Sequence, residues 1–282
     1  MASMQPIDYL IQMQDLDRLQ RREFIIRTLV DLGIPIEEQV NQKIFTLGSR
    51  IRNYVVPSNT PVTQVIGAHY DPLTGKKSVI DNLTGVSILL YLASQHSEEL
   101  SNLGTELVFF DAEEYFKIEG TDKNSFLGSK LYLSQRINSP IERLFNLDCV
   151  VGDYPIVWPV EDEQSQIYLE LADIANQLGC DIMSLQAMKD RTTTYNSDHK
   201  PFVESGISAV TITCVNEFDF DQFQQYKEAL KWNELKEMEA ILKRIEILTH
   251  LDGYYDNVSE VSPQALLECA DLVYGTVRNI TI

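Results

Sequence analysis

Histidine is scarce in this chain, with four among 282 residues, so any imidazole chemistry falls on His69, His96, His199 or His250. Cysteine is equally sparse. Cys149, Cys180, Cys214 and Cys269 are widely separated with no Cys-x-x-Cys pair, which indicates neither a thiolate zinc cluster nor a disulfide framework and leaves buried free thiols. Basic residues are outnumbered, 23 Lys and Arg against 42 Asp and Glu, for a formal charge of −19. With no cationic surplus to release counterions, nucleic acid and anionic membranes are not expected partners. Acidity implies solubility and mildly favours cationic substrates. No apolar run approaches the ~18 residues of a membrane span, and the N-terminus lacks a basic stretch followed by an apolar core. A cytoplasmic protein is the expectation, although a secreted chain already stripped of its signal would look the same. Internal repeats and low-complexity segments are also missing.

What is present suits one α/β domain. At 44% hydrophobic residues the chain can bury a full core. Residues 9–32 carry apolar positions at helical spacing, stopped by Gly33 and Pro35, and predict one or two leading helices. Residues 51–56, 65–68, 105–111, 142–150 and 207–213 read as strands. Helices are expected over 83–100, 125–137, 164–179 and 219–248, with a last one from Pro263, and 182–188 fits a strand or a short helix. Strands alternating with helices imply a mostly parallel sheet covered on both faces.

The chain is organised around residues 65–85, VIGAHYDPLTGKKSVIDNLTG. A buried strand ends in His69-Tyr70-Asp71, and Asp81-Asn82 then opens a helical pattern, which is how an open α/β sheet presents ligands in its crevice. The strand over 105–111 runs into Ala112-Glu113-Glu114, and the strand over 142–150 is interrupted by Asp148. A carboxylate inside an apolar strand is too costly to leave unpaired, so a cation or strong donors belong beside it. Neighbours on extended backbone point in opposite directions, so one glutamate of the doublet can bind metal while the other faces a water. His199 follows Ser197-Asp198, His250 ends the long charged helix, and His96 reads as a solvated helix residue outside the site. Mixed imidazole and carboxylate donors suit zinc better than magnesium or calcium. A shared aspartate would let His69, Asp81 and Asp148 hold one zinc and Asp81, Glu114 and His250 another, with Asp71 orienting the His69 imidazole.

The set GAHYD at 67–71, DNLTG at 81–85, FFDAEE at 109–114, NLD at 146–148, SDHKPF at 197–202 and a late His before VSP at 261–263 resembles the di-zinc aminopeptidase family, which also contains the glutaminyl cyclases. The resemblance covers roughly residues 18–277. It implies a phosphorylase/hydrolase-like three-layer α/β/α sandwich, with His69, Asp81, Glu114, Asp148 and His250 as zinc ligands and Glu113 as catalytic base. Asp198 and His199 then line or support the site, although His199 stands as the alternative to His250. Thr249 precedes His250 where the family commonly has an aromatic, and the spacing from His250 to Pro263 is looser than usual.

The activity implied is removal of one residue from peptides with a free N-terminus, with two zinc ions favoured. Cyclisation of N-terminal Gln at a single zinc is the alternative, resembled also by NSFLGS at 124–129; Asn82 after the shared aspartate and the lack of Trp before His250 speak against it. A non-enzymatic zinc module is the third reading, opposed by the intact Glu113-Glu114 pair. The chain is expected to be one domain over residues 1–282, with a helical insertion at about 217–248. That insertion would pack on its own domain, dimerise, or form a lid reaching His250.

Overall fold

The computed structural model describes residues 4–46, 49–73, 75–114, 125–160, 162–186, 196–232, 234–247 and 256–280. Eight strands form one sheet: β1 (Glu37–Thr46), β2 (Ser49–Val56), β3 (Gln64–His69), β4 (Thr105–Phe110), β5 (Arg143–Val150), β6 (Tyr154–Trp158), β7 (Met183–Ser184) and β8 (Ser208–Val215). Their spatial order is β1-β2-β4-β3-β5-β8-β6-β7. The central strands β4, β3, β5 and β8 are parallel, while β1, β2 and β6 join them antiparallel. After β3 the chain moves to one side for β4 and then to the other for β5. The carboxyl ends of β4, β3 and β5 therefore meet at a switch point, where an open α/β sheet has its crevice.

The strand residues explain why these elements are central. All six residues of β4, TELVFF, are buried. Leu107 and Phe109 enter one core, and Val108 and Phe110 the other, as period-two alternation requires of a strand covered on both faces. In β3 a Cβ on Gly67 would lie 2.3 Å from the Phe110 ring, so glycine there makes room for the neighbouring strand's aromatic. The larger core takes in α1 (Pro6–Met13), α2 (Arg18–Asp31), α3 (Thr84–Asn102), α5 (Gln166–Leu178) and the C-terminal α9 (Pro263–Ile280). On the opposite face lie α4 (Leu127–Gln135) and α6 (His199–Glu204), where Phe110, Tyr132 and Phe202 pack ring against ring. No described helix is long and apolar enough to cross a membrane.

Three expectations change. The 219–248 helix is two helices, α7 (Glu217–Lys231) and α8 (Leu235–Leu242); its last residue, 248, lies outside the described residues. Phe220, Phe223, Tyr226, Met238, Ile241, Ile245 and Ile247 join the main core, so the pair packs on its own domain and is not a detached lid. Second, β1 and β6 stand where no strand is expected, because β1 is a polar edge strand and β6 a short antiparallel addition with little periodicity to mark it. Third, Asp81 does not begin a regular helix. It sits in a π-helical turn, Val79–Leu83, in which Asp81 and Asn82 have non-helical backbone angles and share a cis peptide.

Candidate metal centre

Among the described residues, the crevice gathers carboxylates around one imidazole, His69. His69, the last residue of β3, is fully buried, and its Nε2 lies 3.0 Å from Asp81 Oδ1 and 3.7 Å from Asp148 Oδ1. Its Nδ1 faces Asp71 Oδ1 at 3.6 Å, beyond hydrogen-bond length. Neither ring nitrogen makes a well-directed hydrogen bond among the described residues. Buried polar atoms rarely stay unsatisfied, and carboxylate oxygens that converge on Nε2 at ion-pair distance but outside hydrogen-bond geometry would also cradle a cation. Ligand atoms of His69, Glu113 and Asp148 lie within 4.8 Å of one another, as do those of Asp81, Asp148 and Cys149. One imidazole among carboxylates is a donor set that zinc fits.

Each side chain is placed by its own local device. Asp256 Oδ1 accepts the N–H groups of Val79 and Ile80 at 2.8 Å each, fixing the turn that carries Asp81. Asn82 turns away from the crevice: its Nδ2 donates to the Leu147 carbonyl at 2.7 Å and its Oδ1 accepts the Gly85 N–H at 3.1 Å. Asp148 on β5 is oriented by Ser197, whose hydroxyl donates to Asp148 Oδ2 at 2.6 Å and accepts from Asn146 Nδ2 at 2.9 Å. The glutamate doublet leaves β4 on a turned backbone, with Ala112 in the left-handed region (φ 57°), rather than on extended strand. Its N–H groups point to one carboxylate, Glu113 donating to Asp71 Oδ1 at 3.0 Å and Glu114 to Asp71 Oδ2 at 3.2 Å. Helix α4 seals the segment from outside. A Cβ on Gly128 would lie 2.2 Å from the Asp111 carbonyl.

Asp71 therefore holds the glutamate backbone besides facing the imidazole, a role that His-x-Asp spacing does not disclose. Asp198 is fully buried, with neither carboxylate oxygen hydrogen-bonded among the described residues. His199 belongs to neither group of converging ligand atoms among the described residues. Its Nδ1 is 2.8 Å from the Thr211 hydroxyl and its ring meets Trp158 edge-on, with centroids 5.0 Å apart. His96 stacks on Tyr274 of α9. His250 lies outside the described residues.

The electrostatics record a shortage of positive charge. Burial alone would lower the His69 pKa, but Glu113, Asp148, Asp71 and Asp81 outweigh it and push the imidazole well above its ordinary value. Burial, reinforced by Asp198, Glu114 and Asp148 against the opposing His69, raises Glu113 well above the carboxylate range. Glu114 is pushed up to about 9 by burial and then by Asp81, its strongest charged neighbour. Burial takes Asp198 to about 7 and His199 down to about 4. These are the shifts of carboxyl groups crowded together in a buried site. Sequence reasoning missed Ser197, Asp256 and Cys149. The Cys149 thiol, pushed up by burial and then by Asp81 and Asp148, donates to Asp148 Oδ1 at 3.4 Å. An Asp beside a Ser two strands away carries no signal of its own in sequence.

Comparison with known proteins gives a family match and likenesses of fold. The family model described as peptidase family M28 matches residues 53–277. Glutaminyl cyclase from Porphyromonas gingivalis is 17% identical and superposes with a TM-score of 0.69 over 98% of this chain and 97% of that one. The Bacillus subtilis zinc aminopeptidase BSAP is 21% identical, with a TM-score of 0.57 over 82% of this chain and 50% of its own. LapA aminopeptidase from Legionella pneumophila is 12% identical, with a TM-score of 0.67 over 99% of this chain and 72% of its own. At these identities the likeness is one of fold, and this chain spans about half the length of BSAP.

Proposed function

From the premise that this chain belongs to peptidase family M28, whose model matches residues 53–277, we propose that it is a zinc-dependent aminopeptidase that removes the N-terminal residue of peptides. The observation that supports the reading is the convergence of Asp81 and Asp148 on His69 Nε2, at 3.0 and 3.7 Å, with Glu114 close enough to Asp81 for the two charges to oppose each other. A carboxylate near two donor groups suits a shared ligand. Asp71, Asp81, Glu113, Glu114, Asp148 and Asp198 crowd the His69 imidazole, and two dications would offset that charge better than one.

His69, Asp81 and Asp148 would hold one ion, and Asp81, Glu114 and His250 the other. When bound, zinc supplies Lewis-acid polarisation of the scissile carbonyl and activation of the attacking water. Glu113 is the general base. It accepts a proton from the water at a carboxylate oxygen as the water oxygen bonds to the carbonyl carbon, then passes that proton to the amine nitrogen as the C–N bond breaks. Asp71 keeps the glutamate backbone in register, and Ser197 presents Asp148 through Oδ1 by occupying Oδ2. The cluster's surplus negative charge would receive the substrate's free α-ammonium.

Cyclisation of N-terminal glutamine is the second reading, favoured by the end-to-end match in length with the cyclase fold and by Asp198, a buried carboxyl of pKa about 7 charge-coupled to Glu113 and suited to relaying a proton. One protocol separates the readings: purified protein with its metal counted, assayed on aminoacyl-p-nitroanilides and on peptides with N-terminal Gln. Release of the free residue with two zinc ions per chain is expected. Pyroglutamate formed at a single zinc would establish the cyclase instead, and inactivity on both panels with zinc bound would leave a binding module.

A further inference from the structure

Helix α2 carries Arg18, Arg21 and Arg22 on one face, at the i, i+3, i+4 spacing of a helix stripe. Such a stripe ordinarily lies in solvent, yet these arginines are 7%, 0% and 6% exposed. Two of them have an obvious partner. Arg18 and Arg22 pair with opposite oxygens of Asp111 at 2.7 Å each, and Arg22 Nε donates to the Tyr70 hydroxyl at 2.9 Å. Asp111 immediately precedes Ala112-Glu113, and Tyr70 stands between His69 and Asp71.

Arg21 is different, having no carboxylate at ion-pair distance among the described residues. Its guanidinium donates to three backbone carbonyls, through Nε to Leu16 at 3.1 Å, through Nη1 to Tyr70 at 3.1 Å, and through Nη2 to Lys77. Tyr70 and Lys77 lie at the two ends of the loop that separates His69 from Asp81. Burying a guanidinium without a paired anion is unfavourable, and an apolar residue of similar volume would serve a merely structural position as well or better. Burial draws its pKa down to about 10, against the opposing pull of Asp71, Asp256 and Asp81, so it stays cationic at neutral pH.

We propose that Arg21 is a positioning residue for the metal centre: by tying the end of β3 to the turn that delivers Asp81, it fixes the span between the His69 and Asp81 ligands. The inference rests on reading this cluster as a metal centre. Lysine is no substitute, since a single ammonium cannot reach three carbonyls in a planar fork.

The test uses the full chain and two variants, Arg21→Met, which removes every donor at similar length, and Arg21→Lys, which keeps the charge. Zinc affinity is measured by competition with a chromophoric chelator, ligand geometry by the visible spectrum of the Co2+-loaded protein, and stability by urea unfolding in EDTA. Loss of an outer support of this kind is expected to weaken zinc about 10- to 100-fold in Arg21→Met and to shift the Co2+ bands, with Arg21→Lys intermediate. A lower unfolding midpoint with wild-type zinc affinity and an unchanged Co2+ spectrum overturns the proposal, because the residue would then serve the fold alone. If Arg21→Met does not fold, Arg21→Lys decides by the same readouts; if neither folds, the arginine belongs to the core and the assignment falls. A wild-type chain that takes up no zinc overturns the metal-centre reading and this inference with it, whereas wild-type uptake matched by Arg21→Met overturns this inference alone.

Discussion

Replacing Asp71 by asparagine isolates what its carboxylate does. The two oxygens accept one backbone N–H each, from Glu113 at 3.0 Å and from Glu114 at 3.2 Å, inside a fully buried environment. Asparagine has the same shape but one acceptor, so one N–H keeps a neutral partner and the other meets an amide donor. A hydrogen bond to a charged group is worth about 1.5–3 kcal/mol. If that loss is felt where the Glu113 carboxylate must meet the reacting water, it corresponds to a rate reduction of about 10- to 150-fold. The assay is kcat and KM of Asp71→Asn on the preferred substrate, with zinc content matched to wild type by metal analysis. The expected outcome is a fall in kcat at full zinc occupancy. Activity within twofold of wild type at equal zinc would refute the role given to the Glu113 and Glu114 amides. Loss of zinc as the primary defect would show that Asp71 acts through the His69 imidazole, which it faces at 3.6 Å.

Two further predictions concern the same cluster. Glu113→Gln should keep zinc and lose about 10²- to 10⁴-fold in rate, while Glu114→Gln should lose zinc first; metal analysis beside kinetics checks both, and the opposite pattern reverses the pair. Metal-free protein should lose stability as pH rises. Glu114 and Asp198 have folded pKa values of about 9 and about 7, raised above their ordinary 4.5 and 3.8. A raised group contributes stability that is complete below its unfolded pKa and disappears as pH climbs through the folded value, by at most ~1.4 kcal/mol per pH unit for each proton retained. Urea midpoints in EDTA should therefore fall between about pH 5 and pH 8.5, and zinc should flatten the profile; a midpoint that rises over this range in EDTA would contradict the carboxyl assignments.

Much of this was legible in sequence, for a physical reason. Strands buried on both faces announce themselves as apolar runs, so β3, β4 and β5 are legible in the sequence pattern, and the polar residues that end or interrupt them, His69, Glu113, Glu114 and Asp148, stand out against those runs. The order His, Asp, Glu-Glu, Asp along alternating strands and helices also determined the family resemblance and the fold class. Tertiary structure decided the rest, because hydrogen bonds between distant segments leave no periodic trace. Only the fold brings Ser197 to Asp148, Asp256 to the turn holding Asp81, and Asp71 to the amides of the glutamate doublet. The fold also turned a run of arginines on α2 inward, where a one-dimensional reading places charge in water. The insertion shows the same division: its amphipathic pattern fixed that it is helical, while the burial of Phe223, Tyr226 and Ile241 in the main core decided that it is part of the domain, since periodicity marks an apolar face but not what covers it.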